Sequence, residues 1–157
     1  MNRITSFLAL SAIVVAGAFA GTVGQASANV TVDFKVHNGD ASASMIRSGS
    51  VPTYMSGLIS PAASIPPGGD DPATGFAVFS APTPSVGSYV QASISYANAL
   101  DGFSNKCTFT ITVTRTGNAV YSLHFSPGSG TPCSVPGDAN NSNGQFTSQV
   151  YTLTWST

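Results

Sequence analysis

The chain has 157 residues, five of them Lys or Arg and six acidic, for a formal net charge of −1; every acid is an aspartate. Only 7% of residues are charged, far too few cations to neutralise a phosphate backbone, which excludes nucleic-acid binding. Cys107 and Cys133 are the only cysteines.

The chain opens with Arg3, followed over residues 7–20 by a run that is apolar apart from Ser11. It closes on Ala26-Ser27-Ala28, an A-x-A pattern. These features predict a signal peptide over residues 1–28, removed after Ala28. Ala18-Phe19-Ala20 is an earlier competing match; Ala28 is preferred because strand-like alternation starts directly after it. The apolar run is shorter than the roughly 20 residues that span a bilayer, so no transmembrane span is expected in the mature form. Residues 29–157 then make one domain of ordinary size, with four cations against six aspartates. Export places it outside the cell or in a periplasm. In that oxidising setting Cys107 and Cys133 are expected to form a structural disulfide. By the chain-entropy model it contributes roughly 3 kcal/mol.

The mature region shows apolar residues at period two, the mark of strands with one buried face. Val30, Val32, Phe34 and Val36 point one way, and Thr31, Asp33 and Lys35 the other. Asn38-Gly39 reads as a turn dipeptide, because both residues tolerate positive φ. A less regular stretch offers Met45, Ile46, Val51, Tyr54, Met55, Leu58 and Ile59 to a core. Residues 60–75 are rich in Pro and Gly and read as a loop about Ile65. Residues 75–80 form a short strand and 81–87 a turn. Val90, Ala92, Ile94 and Tyr96 alternate next, then Cys107, Phe109, Ile111 and Val113. A turn at residues 115–118 returns Tyr121, Leu123 and Phe125 as a hairpin partner. That pairing sets Cys107 opposite Ser126, so the disulfide pins the following loop to the hairpin base. A last strand at about residues 146–155 aligns Tyr151, Leu153 and Trp155. The expected fold is all-β: an antiparallel β-sandwich of about six to eight short strands with one disulfide. A closed barrel is the alternative.

Candidate chemistry is sparse. His37 and His124, the only histidines, fall on the outward phase of their strands, and no G-x-S-x-G elbow accompanies the many serines. A Ser-His-Asp hydrolase built on one of them is one reading and a solvated imidazole the other. Asp70-Asp71 are adjacent in the Pro-Gly loop; a carboxylate pair with Asp101 or Asp138 competes with plain turn chemistry. Asp138, Asn140, Ser142 and Gly144 carry part of a calcium-loop pattern, but the glycine comes one residue late and Gln149 stands where a glutamate belongs. An Asn/Gly hairpin loop explains the same residues. Thr108, Thr110, Thr112 and Thr114 make one outward threonine row, which strand propensity explains. Asn29 and Asn140 head formal glycosylation sequons. Tyr54, Tyr89 and Trp155 lie near segment ends, where an aromatic ring reaches a membrane interface or a sugar, or packs in the core. No catalytic, metal or cofactor constellation is expected.

His37-Asn38, Gly57, Ser64-Ile65-Pro66-Pro67-Gly68-Gly69, the strand at residues 76–79, and Val86-Gly87 leading into Ser93-Ile94-Ser95-Tyr96 occur in an order similar to the N-terminal half of aegerolysin-like secreted β-sandwich proteins. The resemblance covers about residues 32–96. Those proteins are usually rich in tryptophan, whereas this chain has only Trp155. What the resemblance implies is the sandwich fold and a lipid surface as partner. Fimbrial subunits share the composition, but place a cysteine just after the opening strand, where this chain has none. The leading expectation is a secreted, non-enzymatic binding module directed to membrane lipid or another cell-surface component. A structural appendage or matrix subunit, and a small hydrolase, are the alternatives.

Overall fold

A computed structural model describes residues 29–55, 63–128 and 133–155. The leader at residues 1–28 with its cleavage site Ala28, together with Gly57, Leu58 and Ile59, lies outside the described residues. The strands are β1 (Asn29–Asn38), β2 (Met45–Ser48), β3 (Ser64–Ile65), β4 (Asp70–Asp71), β5 (Ala77–Pro82), β6 (Tyr89–Asn98), β7 (Lys106–Gly117), β8 (Val120–Pro127), β9 (Cys133–Ser134), β10 (Ala139–Asn141) and β11 (Gln145–Trp155). Among the described residues a single 3-10 turn, Thr53–Met55, interrupts them. Among the described residues no helix is long and apolar enough to cross a membrane.

Two sheets pack face to face. One has the order β4-β1-β11-β9, with β5 also on β1; the other runs β10-β8-β7-β6-β2-β3. The all-β sandwich with one disulfide is therefore present. Its strand segments outnumber the expected six to eight, because several pairings are only two to four residues long and carry no alternation to read. One central pairing is parallel: β1 runs alongside β11, with Val36 opposite Leu153 and Asn38 opposite Trp155. Every other pairing is antiparallel. A parallel neighbour needs a long crossover, and here the whole second sheet lies between the two strands.

The alternating residues fill the space between the sheets. Val30, Val32, Phe34 and Val36 of β1 are fully buried, as are Phe109, Ile111 and Val113 of β7, Leu123 of β8 and Leu153 of β11. Phe79, Met45, Met55 and Ile65 complete the core. Tyr54 packs edge-on against Phe79 with ring centroids 6.0 Å apart, and Trp155, 1% exposed, is a core residue. Asp33, outward by phase, is nevertheless buried. At that point the ladder slips from Val32 opposite Phe146 to Phe34 opposite Tyr151, five residues of β11 against two of β1.

Two local readings are corrected. Asn38-Gly39 is not a turn with positive φ: neither residue adopts it. Asn38 is buried, and its amide donates to the carbonyls of Ala43 (2.8 Å) and Pro66 (2.9 Å), so a polar side chain staples the end of β1 to two loops. The β7–β8 hairpin turns later than expected, with Gly117 opposite Val120 and an irregularity after Arg115. Thr110, not Cys107, faces Ser126. Arg115 remains in the strand because its guanidinium donates to the Gly117 and Asn118 carbonyls and lies over the Tyr121 ring.

The disulfide differs accordingly. Cys107 belongs to β7 of the second sheet, whereas Cys133 pairs with Trp155 in the first. The bridge joins the two sheets across the core instead of pinning a loop to the hairpin base. A hydrogen bond does the same elsewhere: the Tyr96 hydroxyl on β6 donates to Asp71 Oδ2 on β4 at 2.6 Å. Burial, reinforced by this carboxylate, pushes the Tyr96 phenol well above its usual range.

Candidate surface site at the β6–β7 loop

The sequence nominees separate in space. Adjacent strand residues point to opposite faces, so Asp70 faces out and Asp71 faces the core. Asp70 accepts from Lys35 Nζ at 2.9 Å and pairs with His37 Nδ1 at 2.7 Å. His124 makes the same contact with Asp138, 2.7 Å from Nδ1 to Oδ1. Each histidine thus has an orienting carboxylate, yet neither ring bonds to a serine or threonine hydroxyl among the described residues, so the nucleophile of a triad is not in place. Asp101 is spent on its own loop, and the four aspartates do not converge.

The polar side chains of residues 138–144 serve their hairpin. Asn141 Oδ1 accepts from the Asn143 and Gly144 amides, Asn143 Oδ1 from Gln145, and Asn140 Oδ1 from Ser122. Gly144, at φ +73°, sits where an added Cβ would come within 2.8 Å of Val30. The hairpin reading accounts for this stretch, and among the described residues no cluster of three metal-ligating side chains occurs. Along the threonine row, Thr108 bonds to Ser95 and Thr110 to Ser93, both at 2.7 Å. Asn29 donates to Ser80.

Of the three aromatic nominees only Tyr89 is exposed, at 60%. The sequence reading missed two exposed apolar residues that stand close together in the chain. Leu100 and Phe103, 72% and 55% exposed, stand on the loop joining β6 to β7. Hydrogen bonds define this loop throughout. Asn98 Oδ1 accepts from the Leu100 amide at 2.8 Å, and the Asn98 carbonyl from the Phe103 amide at 3.1 Å. The Asn98 amide donates to the Asn105 carbonyl at 3.0 Å. Asp101 caps the turn by accepting from the Ser104 and Asn105 amides and from the Asn105 side chain. The base is anchored by Ala99 donating to Ser44 and by Asn98 donating to Asp40.

Phe103 is the one described non-glycine residue at positive φ, +68°. Such a conformation costs about 1–3 kcal/mol, and persists where surrounding contacts over-determine it. An exposed aromatic gains nothing from the fold by adopting it. The signal available in the sequence was two large apolar residues, Leu100 and Phe103, in a stretch where alternation lapses after Tyr96 and resumes at Cys107. Tyr89 stands at the other end of β6, about 30 Å away by strand rise.

Three carboxylates elsewhere in the fold or at the base of this loop bear on the acid stability of the protein. Asp40 is held below the ordinary aspartate range, first by the Ser42 backbone amide and then by the Ser42 hydroxyl, the Ala43 amide and Asn98. Asp70 is lowered mainly by its hydrogen bond from Lys35, with His37 adding. For both groups the unfolded chain takes up protons first as pH falls. Their stabilisation is complete above the unfolded-state pKa and is lost on descent through the lower folded-state value. Burial raises Asp33, which acts in the opposite sense. Urea midpoints should therefore fall below about pH 4, and less steeply in Asp70→Asn than in the wild type. Parallel curves for the two proteins would show that Asp70 has no part in acid unfolding.

No protein-family model, curated protein or solved structure matches this chain.

Proposed function

We propose that residues 29–157 form an exported, non-enzymatic binding module that docks on a membrane or cell surface through the β6–β7 loop. The observation that carries this reading is the pair Leu100 and Phe103, held out to solvent on a loop whose backbone is fixed from both ends. A free protein gains nothing from two large exposed apolar side chains on a rigid mount. A lipid surface removes both from water, and burial of each is worth about 1.5–3 kcal/mol when complete. A pre-formed loop also avoids the ordering cost of a flexible one. The leader pattern and the disulfide support export, and the aegerolysin-like order of segments supports a lipid partner.

Co-sedimentation of the oxidised protein with vesicles tests this. Leu100→Ser with Phe103→Ser should weaken vesicle binding at least about tenfold, with an unchanged urea midpoint, because neither side chain belongs to the core. Tyr89→Ser, at the far end of β6, should bind like the wild type. Equal binding by the loop variant and the wild type would remove the loop from the function, and no binding to any composition would overturn the reading.

A further inference from the structure

The geometry points to a calcium site at Asp33, beside the irregularity in β11 and independent of the lipid-docking loop. The other five aspartates all have partners. Asp40 accepts from Ser42 and Ala43, Asp70 bonds to Lys35 and His37, and Asp71 accepts from Tyr96. Asp101 is held by its own loop, and Asp138 bonds to His124. Asp33 is 7% exposed, yet among the described residues nothing donates a hydrogen bond to its carboxylate or pairs with its charge. Burying an uncompensated carboxylate is costly, and a bound ion is one of the few reasons for a native protein to keep one.

Asp33 lies on the outer face of β1, with Val78 of β5 on one side and the irregular stretch of β11 on the other. There the register passes from Phe146 directly to Tyr151, so residues 147–150 have no counterpart on β1. All four are exposed. Bonds of a parallel ladder reach one residue beyond a paired position, so the carbonyls of Ser148 and Gln149 are not used by β1. Bulged strands of this kind are common beside functional sites. Thr31 and Ser80, paired on the same outer face, add hydroxyl oxygens. Lys35, two residues along β1, donates to Asp70, so no ammonium competes for Asp33. One negative charge among neutral carbonyl, hydroxyl and amide oxygens suits a hard cation, and calcium takes such mixed oxygen ligands together with water in a flexible shell. A cluster of acids is not required, and a single carboxylate implies weak binding, about 10⁻⁴–10⁻³ M as in extracellular modules.

The test compares urea midpoints of the oxidised full mature protein in EDTA and in about 5 mM calcium chloride, a concentration above the dissociation constants of such weak sites. A ligand that binds only the folded state raises the midpoint, so the wild type should shift upward in calcium, and calorimetric titration with calcium should give one site per chain. Magnesium, which sheds its water reluctantly and demands a near-octahedral shell, should shift it less. Asp33→Asn should lose the calcium shift. Its midpoint in EDTA should equal or exceed that of the wild type, because no buried charge is left. Asp138→Asn should keep the shift, which separates this site from the Asn/Gly hairpin. Wild-type protein with neither heat nor shift in calcium would overturn the inference, whether or not Asp33→Asn folds. An undiminished shift in Asp33→Asn, or its loss in Asp138→Asn, would overturn it too. None of these results bears on the loop reading, which vesicle binding tests separately.

Discussion

Replacing Trp155 with alanine will lower the unfolding free energy by about 3–5 kcal/mol, the range for deleting a large buried aromatic. The residue is 1% exposed, and its strand position is shared three ways. It lies opposite Asn38 of β1 and opposite Cys133 of β9, and its carbonyl accepts from the Gly39 amide at 2.7 Å. Truncation opens a cavity where the first sheet, the disulfide and the end of β1 meet. The indole nitrogen bonds to no described residue, so Trp155→Phe sacrifices volume but no hydrogen bond and should cost less than half as much. Urea denaturation followed by circular dichroism reads both variants, since the alanine variant has no tryptophan fluorescence. A cost below about 1 kcal/mol would place Trp155 outside the core and restore it as a surface aromatic.

The second large effect belongs to the disulfide. Substituting both Cys107 and Cys133 with alanine should cost about 3 kcal/mol by the chain-entropy model. The bridge closes a separation of 26 residues with Cα atoms 5.9 Å apart, inside the normal span. Because it ties β7 in one sheet to β9 in the other, its loss frees the sheets to separate, which a loop staple would not do. Hydrogen exchange should therefore quicken along β9 and the end of β11 as well as near Cys107. Quickening confined to the β7–β8 hairpin would contradict the inter-sheet geometry, and an unchanged urea midpoint would contradict the stabilisation.

What could be read directly from the chain was local. In β1, β6, β7, β8 and β11 the side-chain period of two states which face is buried, and Val30, Phe34, Ile94, Phe109, Leu123 and Leu153 all lie where alternation puts them. Trp155 followed from being in phase with Leu153. The hairpin between β7 and β8 was legible in kind, but its register was not. Arg115 resembles a turn residue in sequence and becomes a strand residue only because carbonyls and the Tyr121 ring await its guanidinium.

The sequence by itself therefore determined the long strands, most of their inward faces and the pairing of two cysteines, since each depends on near neighbours or on there being no other partner. Only the tertiary structure decided which strands meet. The parallel contact of β1 with β11 joins residues more than a hundred positions apart, and no turn signal announces it. The same long-range assembly put Cys133 in the opposite sheet from Cys107 and set an aspartate beside each histidine. It also left Leu100 and Phe103 outside the core, because the strands they connect close the sandwich without them. A side chain's burial is a property of everything that packs around it, and along a chain that information is spread too widely to be read from its neighbours.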